Sequence, residues 1–194
     1  AALIQDRKVL RYIGKKYITA RREMGFLVPS KGYEYATIKG HKCAIIVGDD
    51  LSRERDFDQS VETVISINAR KYGKGTMTYR YEMMRNLAFV ESKNLVLVNQ
   101  VGGSTDIVYD GTSGALNSRG ELVLMMKNFE EDFQIFDTKA SARPISIPST
   151  YNDRTRLVYE AARCGLRDFF RKNGYRKASI GLSGGIDSAV VASI

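Results

Sequence analysis

The residues best suited to chemistry form a short glycine-rich loop, Ser183 to Ser188, near the end of the sequence. The loop lies between a short apolar run and the start of a predicted helix. Paired glycines allow a tight turn close to a ligand, and the backbone N–H groups at a helix N-terminus attract anions. The hydroxyls of Ser183 and Ser188 can donate to phosphate oxygens, and Asp187 can hold a magnesium ion that binds them. The pattern therefore predicts a phosphate-binding loop.

The spacing in this loop differs from that of the common nucleotide-binding loop. No Lys followed by Ser or Thr closes it, as the GxxxxGK[ST] pattern requires. It resembles instead the pyrophosphate loop of ATP pyrophosphatases, which adenylate a substrate and release pyrophosphate. A purely structural alternative is a strand-to-helix turn with Ser183 or Asp187 as the N-cap. The predicted ATP-binding residues are Gly181, Leu182, Ser183, Gly184, Gly185, Ile186, Asp187 and Ser188.

Cysteine and histidine offer little scope for a metal or nucleophile site. The two cysteines, Cys43 and Cys164, are far apart and form no CxxC pair, and His41 is the single histidine. A zinc site needs more ligands than this, and one histidine leaves few ways to build a Ser-His-Asp or Cys-His site. We expect two reduced thiols and a histidine on the surface or in a loop.

The net charge of +8, from 30 basic and 22 acidic side chains, is unevenly distributed. Residues 1–42 hold ten basic and three acidic side chains, a net +7, whereas residues 43–150 contribute −3 and residues 151–194 contribute +4. A basic chain invites a nucleic-acid hypothesis, but the aromatic residues do not alternate with the basic ones as in a base-stacking surface. No apolar run approaches the roughly 20 residues that span a bilayer, and the charged N-terminus is unlike a signal peptide. We expect neither a nucleic acid nor a membrane as partner.

Three short apolar runs predict buried strands near residues 43–47, 62–68 and 95–99. Each run is flanked by polar or turn residues, as is typical of strands that are covered on both faces. Apolar residues at helical spacing predict a helix from Met77 to Ser92 between the second and third runs. This order of elements indicates an α/β fold.

Further elements follow the third strand. Two apolar segments around the polar turn at residues 117–120 predict a β-hairpin. Weaker patterns predict a short helix at residues 56–60 and a strand at residues 129–136. Together these elements predict a sandwich with helices outside and sheets inside.

The chain changes character at residues 138–152, where two prolines among serines and threonines predict a linker. A helix follows, capped by Asp153 or Thr155 and ended by the Asn-Gly pair at residues 173–174. An apolar run at residues 178–182 predicts a strand that leads into the glycine-rich loop. The predicted apolar stripe of the helix consists of Val158, Ala162, Leu166 and Phe169.

Two blocks of sequence resemble the glutamine-dependent NAD synthetases. GLRDFFRKNG and GLSGGIDSAVVAS, within residues 159–193, are similar to the opening of the synthetase domain of that family. VNQVGG, YDG and the GELV hairpin are similar to the latter half of its glutaminase domain. The resemblance implies a partial nitrilase-like α/β/β/α sandwich, followed by the first helix-strand-loop-helix of a doubly wound ATP pyrophosphatase domain. The implied divisions are residues 1–137 for the nitrilase-like domain, 138–152 for the linker and 153–194 for the start of the ATP-binding domain.

The resemblance also implies a reaction in two halves. The family hydrolyses glutamine through a Cys nucleophile with Glu and Lys partners, and the freed ammonia travels to the second half. There ATP adenylates the carboxylate of nicotinic acid adenine dinucleotide, and ammonia displaces AMP to give NAD. The implied ligands are therefore ATP, Mg²⁺, nicotinic acid adenine dinucleotide and glutamine or ammonia. The implied setting is a cytoplasmic homo-oligomer.

The sequence departs from the family at the glutaminase site. Gly48 stands where the family has its nucleophilic Cys, at the end of a buried strand, and Cys43 lies five residues too early to replace it. Arg70 stands where the family has a Ser that contacts glutamine. Lys15 is the nearest match to the catalytic Lys, and the catalytic Glu would lie upstream of residue 1. We therefore expect no glutaminase activity.

The sequence also stops just after the phosphate-binding loop, before the rest of the synthetase domain. We therefore expect a part of a longer enzyme that has neither activity in full by itself. The alternative is a catalytically inactive nitrilase-fold scaffold that is kept for assembly.

Overall fold

A six-stranded mixed sheet forms the centre of the structure, a computed structural model that describes residues 1–19, 21–53, 56–138 and 143–194. The strands are β1 (Ala2–Gln5), β2 (Lys8–Tyr12), β3 (Glu34–Ile38), β4 (His41–Val47), β5 (Thr63–Asn68), β6 (Asn94–Asn99), β7 (Val101–Ser104), β8 (Ile107–Asp110), β9 (Gly114–Leu116) and β10 (Leu122–Met125). The helices are α1 (Arg21–Met24), α2 (Thr76–Glu91), α3 (Arg154–Asn173) and α4 (Ile186–Ser193), with 3-10 turns at Gly48–Ser52 and Ser149–Tyr151.

The three predicted apolar strands lie side by side in this sheet, whose order is β10-β9-β6-β5-β4-β3. Strands β4, β5 and β6 run parallel, with Cys43 opposite Thr63, while β3, β9 and β10 join them antiparallel. The prediction that these runs are neighbours in one sheet is confirmed. Because they are parallel, their carboxyl ends at Val47, Asn68 and Asn99 share one edge of the sheet.

Helix α2 covers one face of the sheet, and its predicted position is confirmed. It begins after Gly75, which has a left-handed φ of +78°, and ends before Ser92, which is also left-handed. Its buried side chains recur every three or four residues, so they form one face. They share a core with the strands, formed by Met77, Tyr81, Met84, Leu87 and Ala88 of α2 with Ile46, Val64, Leu95 and Leu97 of the sheet.

Tight hairpins complete the sheet. Strands β9 and β10 flank residues 117–120, which confirms the predicted hairpin. Strands β3 and β4 are joined by Lys39 and Gly40, both with positive φ, the conformation that short hairpin turns favour. The pairs β1–β2 and β7–β8 form two separate two-stranded sheets.

Helix α3 has the predicted ends. The Asp153 carboxylate accepts the N–H of Arg156 at 3.0 Å as N-cap, and Gly174 ends the helix with φ of +72°. The predicted apolar stripe is wrong, however: Val158 is 58% exposed and Phe169 is 50% exposed. The helix carries apolar residues on two faces, and packing against β7 and β8 decides which one is buried. The buried face consists of Leu157, Ala161, Cys164 and Asp168.

Two weaker predictions are wrong. Residues 56–60 form no helix, because the Asp58 carboxylate accepts the N–H of Ser60 at 2.8 Å and makes a local turn. Residues 129–136 form no strand, and Phe129 has a left-handed φ of +57°, which interrupts extended backbone.

The segment after α3 differs from expectation in one respect. Helix α4 begins at Ile186 as predicted, but residues 178–182 are not in a strand. A strand needs a neighbour for its backbone hydrogen bonds, and none of the described residues pairs with this segment. Within the described ranges, no helix is long and apolar enough to cross a membrane.

Candidate functional site

Lys15 and Gly48 meet at the carboxyl edge of the parallel strands. Gly48 follows β4 directly and has a left-handed φ of +62°. A Cβ atom at position 48 would lie 3.3 Å from Nζ of Lys15. The structure therefore brings together the two predicted residues that are 33 positions apart, at the edge where parallel α/β sheets place their ligands.

A buried carboxylate holds the segment that carries Lys15. Asp50 is only 1% exposed, and it accepts the backbone N–H groups of Lys16 at 2.9 Å and Tyr17 at 2.8 Å. Asp50 lies in the 3-10 turn that begins at Gly48. The same turn therefore fixes both partners, because it contains Gly48 and binds the backbone next to Lys15.

Glu23 is a member of this site that the sequence did not reveal. Its Oε2 accepts a hydrogen bond from Nζ of Lys15 at 2.6 Å, and the Lys15 side chain is only 10% exposed. Helix α1 brings the carboxylate back to Lys15 from eight residues along the chain. No local pattern indicates this return, and sequence reasoning placed the acidic partner upstream of residue 1.

Lys15, Glu23 and Gly48 all border one cavity, of about 570 Å³. Asn68, Gln100 and Arg70 supply amide and guanidinium groups to its wall, and none of the described residues that line it is Cys, Ser or Thr. A lysine ammonium in such a place can stabilise negative charge on a carbonyl oxygen, but covalent catalysis needs a nucleophile as well. Besides Lys15, Glu23 and Gly48, the wall includes Ile13, Leu27, Val28, Val47, Ile67, Asn68, Arg70 and Gln100.

Arg70, which stands where a small residue was expected, forms part of this wall. Its backbone N–H donates to Oδ1 of Asn99 at 2.8 Å, and its Nε donates to Oδ1 of Asn68 at 3.4 Å. Asn99 in turn donates from Nδ2 to Oδ1 of Asp110 at 3.3 Å. The ends of β5 and β6 are thus tied together beneath the cavity.

The two thiols lie away from the Lys15 cavity. Cys43, a buried residue of β4, donates weakly to the carbonyl of His41 and lines a separate cavity on the sheet. Burial raises the pKa of the Cys43 thiol, and the nearby Glu62 carboxylate raises it further. Cys164 is a free, buried thiol on α3, and burial raises its pKa too. Neither thiol lies at Gly48, and a raised pKa disfavours the thiolate that a nucleophilic cysteine needs.

The glycine-rich loop, a second candidate site, lies at the start of α4. Gly184 has φ of +82°, which a residue with a side chain rarely adopts, so the tight turn depends on glycine there. The hydroxyls of Ser183 and Ser188 lie 3.1 Å apart, and the N–H of Ser183 donates to Oγ of Ser188 at 3.3 Å. The N-cap is Gly185, without a side-chain hydrogen bond, so neither Ser183 nor Asp187 caps the helix. The hydroxyls therefore close the loop instead of capping the helix.

Comparisons with known proteins give a consistent result. No family model matches the chain. A glutamine-dependent NAD+ synthetase of Acinetobacter baylyi is 30% identical over 85% of this chain and 32% of its own length. The solved glutamine-dependent NAD+ synthetase of Acinetobacter baumannii, in complex with adenosine diphosphate, matches 99% of this chain and 38% of its own, with a TM-score of 0.80 and 26% identity.

A third likeness concerns the fold alone. The carbon-nitrogen hydrolase of Helicobacter pylori matches 65% of this chain and 51% of its own, with a TM-score of 0.55 and 18% identity. The fold is therefore nitrilase-like α/β. The chain spans about a third of the length of the curated relatives that it matches. Over most of its own length, this chain is similar to the glutamine-dependent NAD+ synthetases.

Proposed function

We propose that this chain is a segment of an NAD synthetase, an ATP-dependent carbon-nitrogen ligase. The enzyme adenylates the carboxylate of nicotinic acid adenine dinucleotide, releases pyrophosphate, and amidates the adenylate with ammonia. The observation that carries the proposal is the glycine-rich loop at the start of α4, in a chain similar to NAD synthetases. The adenosine diphosphate bound by the relative from Acinetobacter baumannii supports a nucleotide as ligand.

In this role the loop binds the pyrophosphate part of ATP. The eight residues from Gly181 to Ser188 are exposed or half-buried, so a ligand can reach them. The hydroxyls of Ser183 and Ser188 hydrogen-bond each other in the structure and can exchange this bond for one to a phosphate oxygen. Helix α4 adds the positive end of its dipole at Gly185.

Magnesium fits this loop as part of MgATP. Among the described residues, no three His, Cys, Asp or Glu side chains cluster as metal ligands. Mg²⁺ usually takes one or two carboxylates and fills its other positions with phosphate oxygens and water. Asp187, an exposed carboxylate in the first turn of α4, can supply the protein ligand.

The proposed division of the chain follows from this role. Residues 1–137 form the nitrilase-like part, residues 138–152 the linker, and residues 153–194 the start of the ATP-binding domain. Lys15 belongs to the first part and remains the proposed counterpart of the family's catalytic Lys. A cytoplasmic homo-oligomer is proposed from the resemblance. A non-catalytic scaffold is the less favoured alternative, since the relatives are named as synthetases.

The test is ATP-dependent NAD formation by the full-length protein with ammonium as nitrogen source. We expect AMP and pyrophosphate as products, and loss of NAD formation in Asp187→Ala with an unchanged circular dichroism spectrum. Asp106→Ala, which changes an exposed carboxylate in the turn between β7 and β8, is the matched control. Full activity of Asp187→Ala, or release of ADP and phosphate instead, would contradict the proposal.

A further inference from the structure

Position 48, on the wall of the Lys15 cavity, holds no nucleophilic side chain. A residue with a side chain at position 48 would project towards Lys15, because its Cβ would lie 3.3 Å from Nζ. Glycine leaves that space empty. The described residues that line the cavity include no thiol and no hydroxyl, so none of them supplies the attacking atom instead.

The nearest thiol along the chain is out of reach. Cys43 precedes Gly48 by five residues on an extended strand, a span of about 16 Å at the usual rise per residue. It also lines the separate cavity on the sheet and not the Lys15 cavity. Cys164 is buried on α3, against β7 and β8.

Lys15 and Glu23 cannot replace the missing group. Nζ of Lys15 donates to Glu23 in a 2.6 Å ion pair, and a lysine ammonium has no lone pair for attack. Acyl transfer to a lysine would also produce an amide, which is no easier to hydrolyse than glutamine itself. Glu23 offers only a carboxylate, which is a weak nucleophile, and its Oε2 already accepts the Lys15 hydrogen bond.

We infer that this protein takes its nitrogen from free ammonia and leaves glutamine unhydrolysed, although its relatives are named for glutamine. The inference rests on the proposed function. In the amidation step, the nitrogen lone pair of ammonia forms the C–N bond to the adenylated carboxyl carbon. The C–O bond to AMP breaks with its electron pair, and a proton is released. The reaction that supplies this protein must accordingly be a separate one that releases ammonia, such as hydrolysis of an amide by another enzyme.

The deciding experiment compares nitrogen sources in the full-length protein. NAD formation is measured with ammonium chloride and with ammonia-free glutamine, and glutamate release is measured in parallel. We expect NAD from ammonium and at least a hundredfold less from glutamine, with no glutamate above background. Equal use of glutamine, with one glutamate per NAD, overturns this inference and leaves the proposed function standing. Absence of NAD from both sources overturns the proposed function, and this inference with it.

A second measurement tests the position of the missing nucleophile. Gly48→Cys places a thiol beside the Lys15 ammonium, which favours the thiolate, so we expect iodoacetamide at pH 7 to alkylate it at least tenfold faster than a surface cysteine. Lys74→Cys, in the exposed loop before α2, supplies that matched surface cysteine. Gly48→Ala controls for the strain of a side chain at positive φ. Equal alkylation rates in the folded Gly48→Cys and Lys74→Cys proteins would show that a thiol at position 48 is not activated by Lys15. That result would overturn the inference.

Discussion

The carboxylate of Asp168 on α3 accepts the backbone N–H of Gly103 on β7 at 2.7 Å. Nζ of Lys172, one turn further along the helix, donates to the carbonyl of the same glycine. Two side chains of one helix thus satisfy the peptide groups of Gly103 on the strand, as a neighbouring strand would. The contact fixes α3, the helix that leads towards the glycine-rich loop, to the β7–β8 hairpin.

Asp168→Ala should destabilise the fold. Asp168 is 1% exposed, and its removal leaves the buried N–H of Gly103 without an acceptor, at a cost of about 1–3 kcal/mol. Asp168→Asn should cost less, because an amide oxygen can still accept the hydrogen bond. Urea unfolding measures both variants, and equal costs would show that the charge, not the hydrogen bond, matters.

The contribution of Asp168 should depend on pH. Burial raises the pKa of this carboxyl, but the Gly103 N–H and the guanidiniums of Arg167 and Arg171 outweigh that effect and hold the pKa below its usual value. A lowered folded-state pKa stabilises the protein above the unfolded pKa of about 3.9, and the gain is lost as the pH falls through the folded value. The difference in unfolding free energy between the wild type and Asp168→Asn should therefore shrink between about pH 5 and pH 2. A constant difference over that range would contradict the assignment.

Gly103→Ala should separate α3 from β7. A Cβ atom at position 103 would lie 2.9 Å from Cα of Gly165, which is backbone and cannot move aside cheaply. Overpacking of this kind costs about 1–3 kcal/mol. Gly32→Ala is the control, since nothing lies within 4 Å of a Cβ there. Thermal unfolding of the two variants tests the prediction, and an unaffected Gly103→Ala would refute the close approach.

Asp110→Asn should be among the most damaging changes in the sheet region. Nη2 of Arg80 donates to both carboxylate oxygens of Asp110, at 2.8 and 3.1 Å, and both side chains are almost fully buried. Removing one charge leaves the other buried and uncompensated, at a cost of about 3–5 kcal/mol. The exposed pair Arg119–Glu121 provides the contrast, because Arg119→Gln should cost less than about 1 kcal/mol. Equal costs in urea unfolding would contradict the role of burial.

Ser188→Ala should weaken nucleotide use without harming the fold. The Ser188 hydroxyl lies in the exposed loop and donates to the carbonyl of Gly185 at 3.0 Å. Loss of one hydrogen bond to a phosphate should raise KM for ATP about tenfold in the full-length protein. Ser118→Ala, in the turn between β9 and β10, is the control. An unchanged KM would indicate that Ser188 only shapes the turn.

Local patterns in the sequence were enough to predict the elements that rest on local physics. Short apolar runs located β4, β5 and β6, and helical spacing located α2, because burial of such runs depends on periodicity within a few residues. Asp153 and Gly174 marked the ends of α3 through their own backbone and side-chain preferences. Glycine and serine spacing likewise indicated the loop at residues 183–188.

Relations between distant residues depended on tertiary structure. Periodicity predicted the wrong face of α3, because the contact with the glycines of β7 decides which face is buried. The segment at residues 178–182 has an apolar strand pattern, yet a strand exists only where a neighbour accepts its hydrogen bonds. Glu23 reaches Lys15 only through α1, and Lys15 reaches Gly48 only because Asp50 binds the backbone beside it. The sequence alone thus determined that position 48 has no nucleophilic side chain. Only the tertiary structure decided that the Lys15–Glu23 ion pair borders the same cavity as Gly48, since burial and long-range hydrogen bonds position this pair.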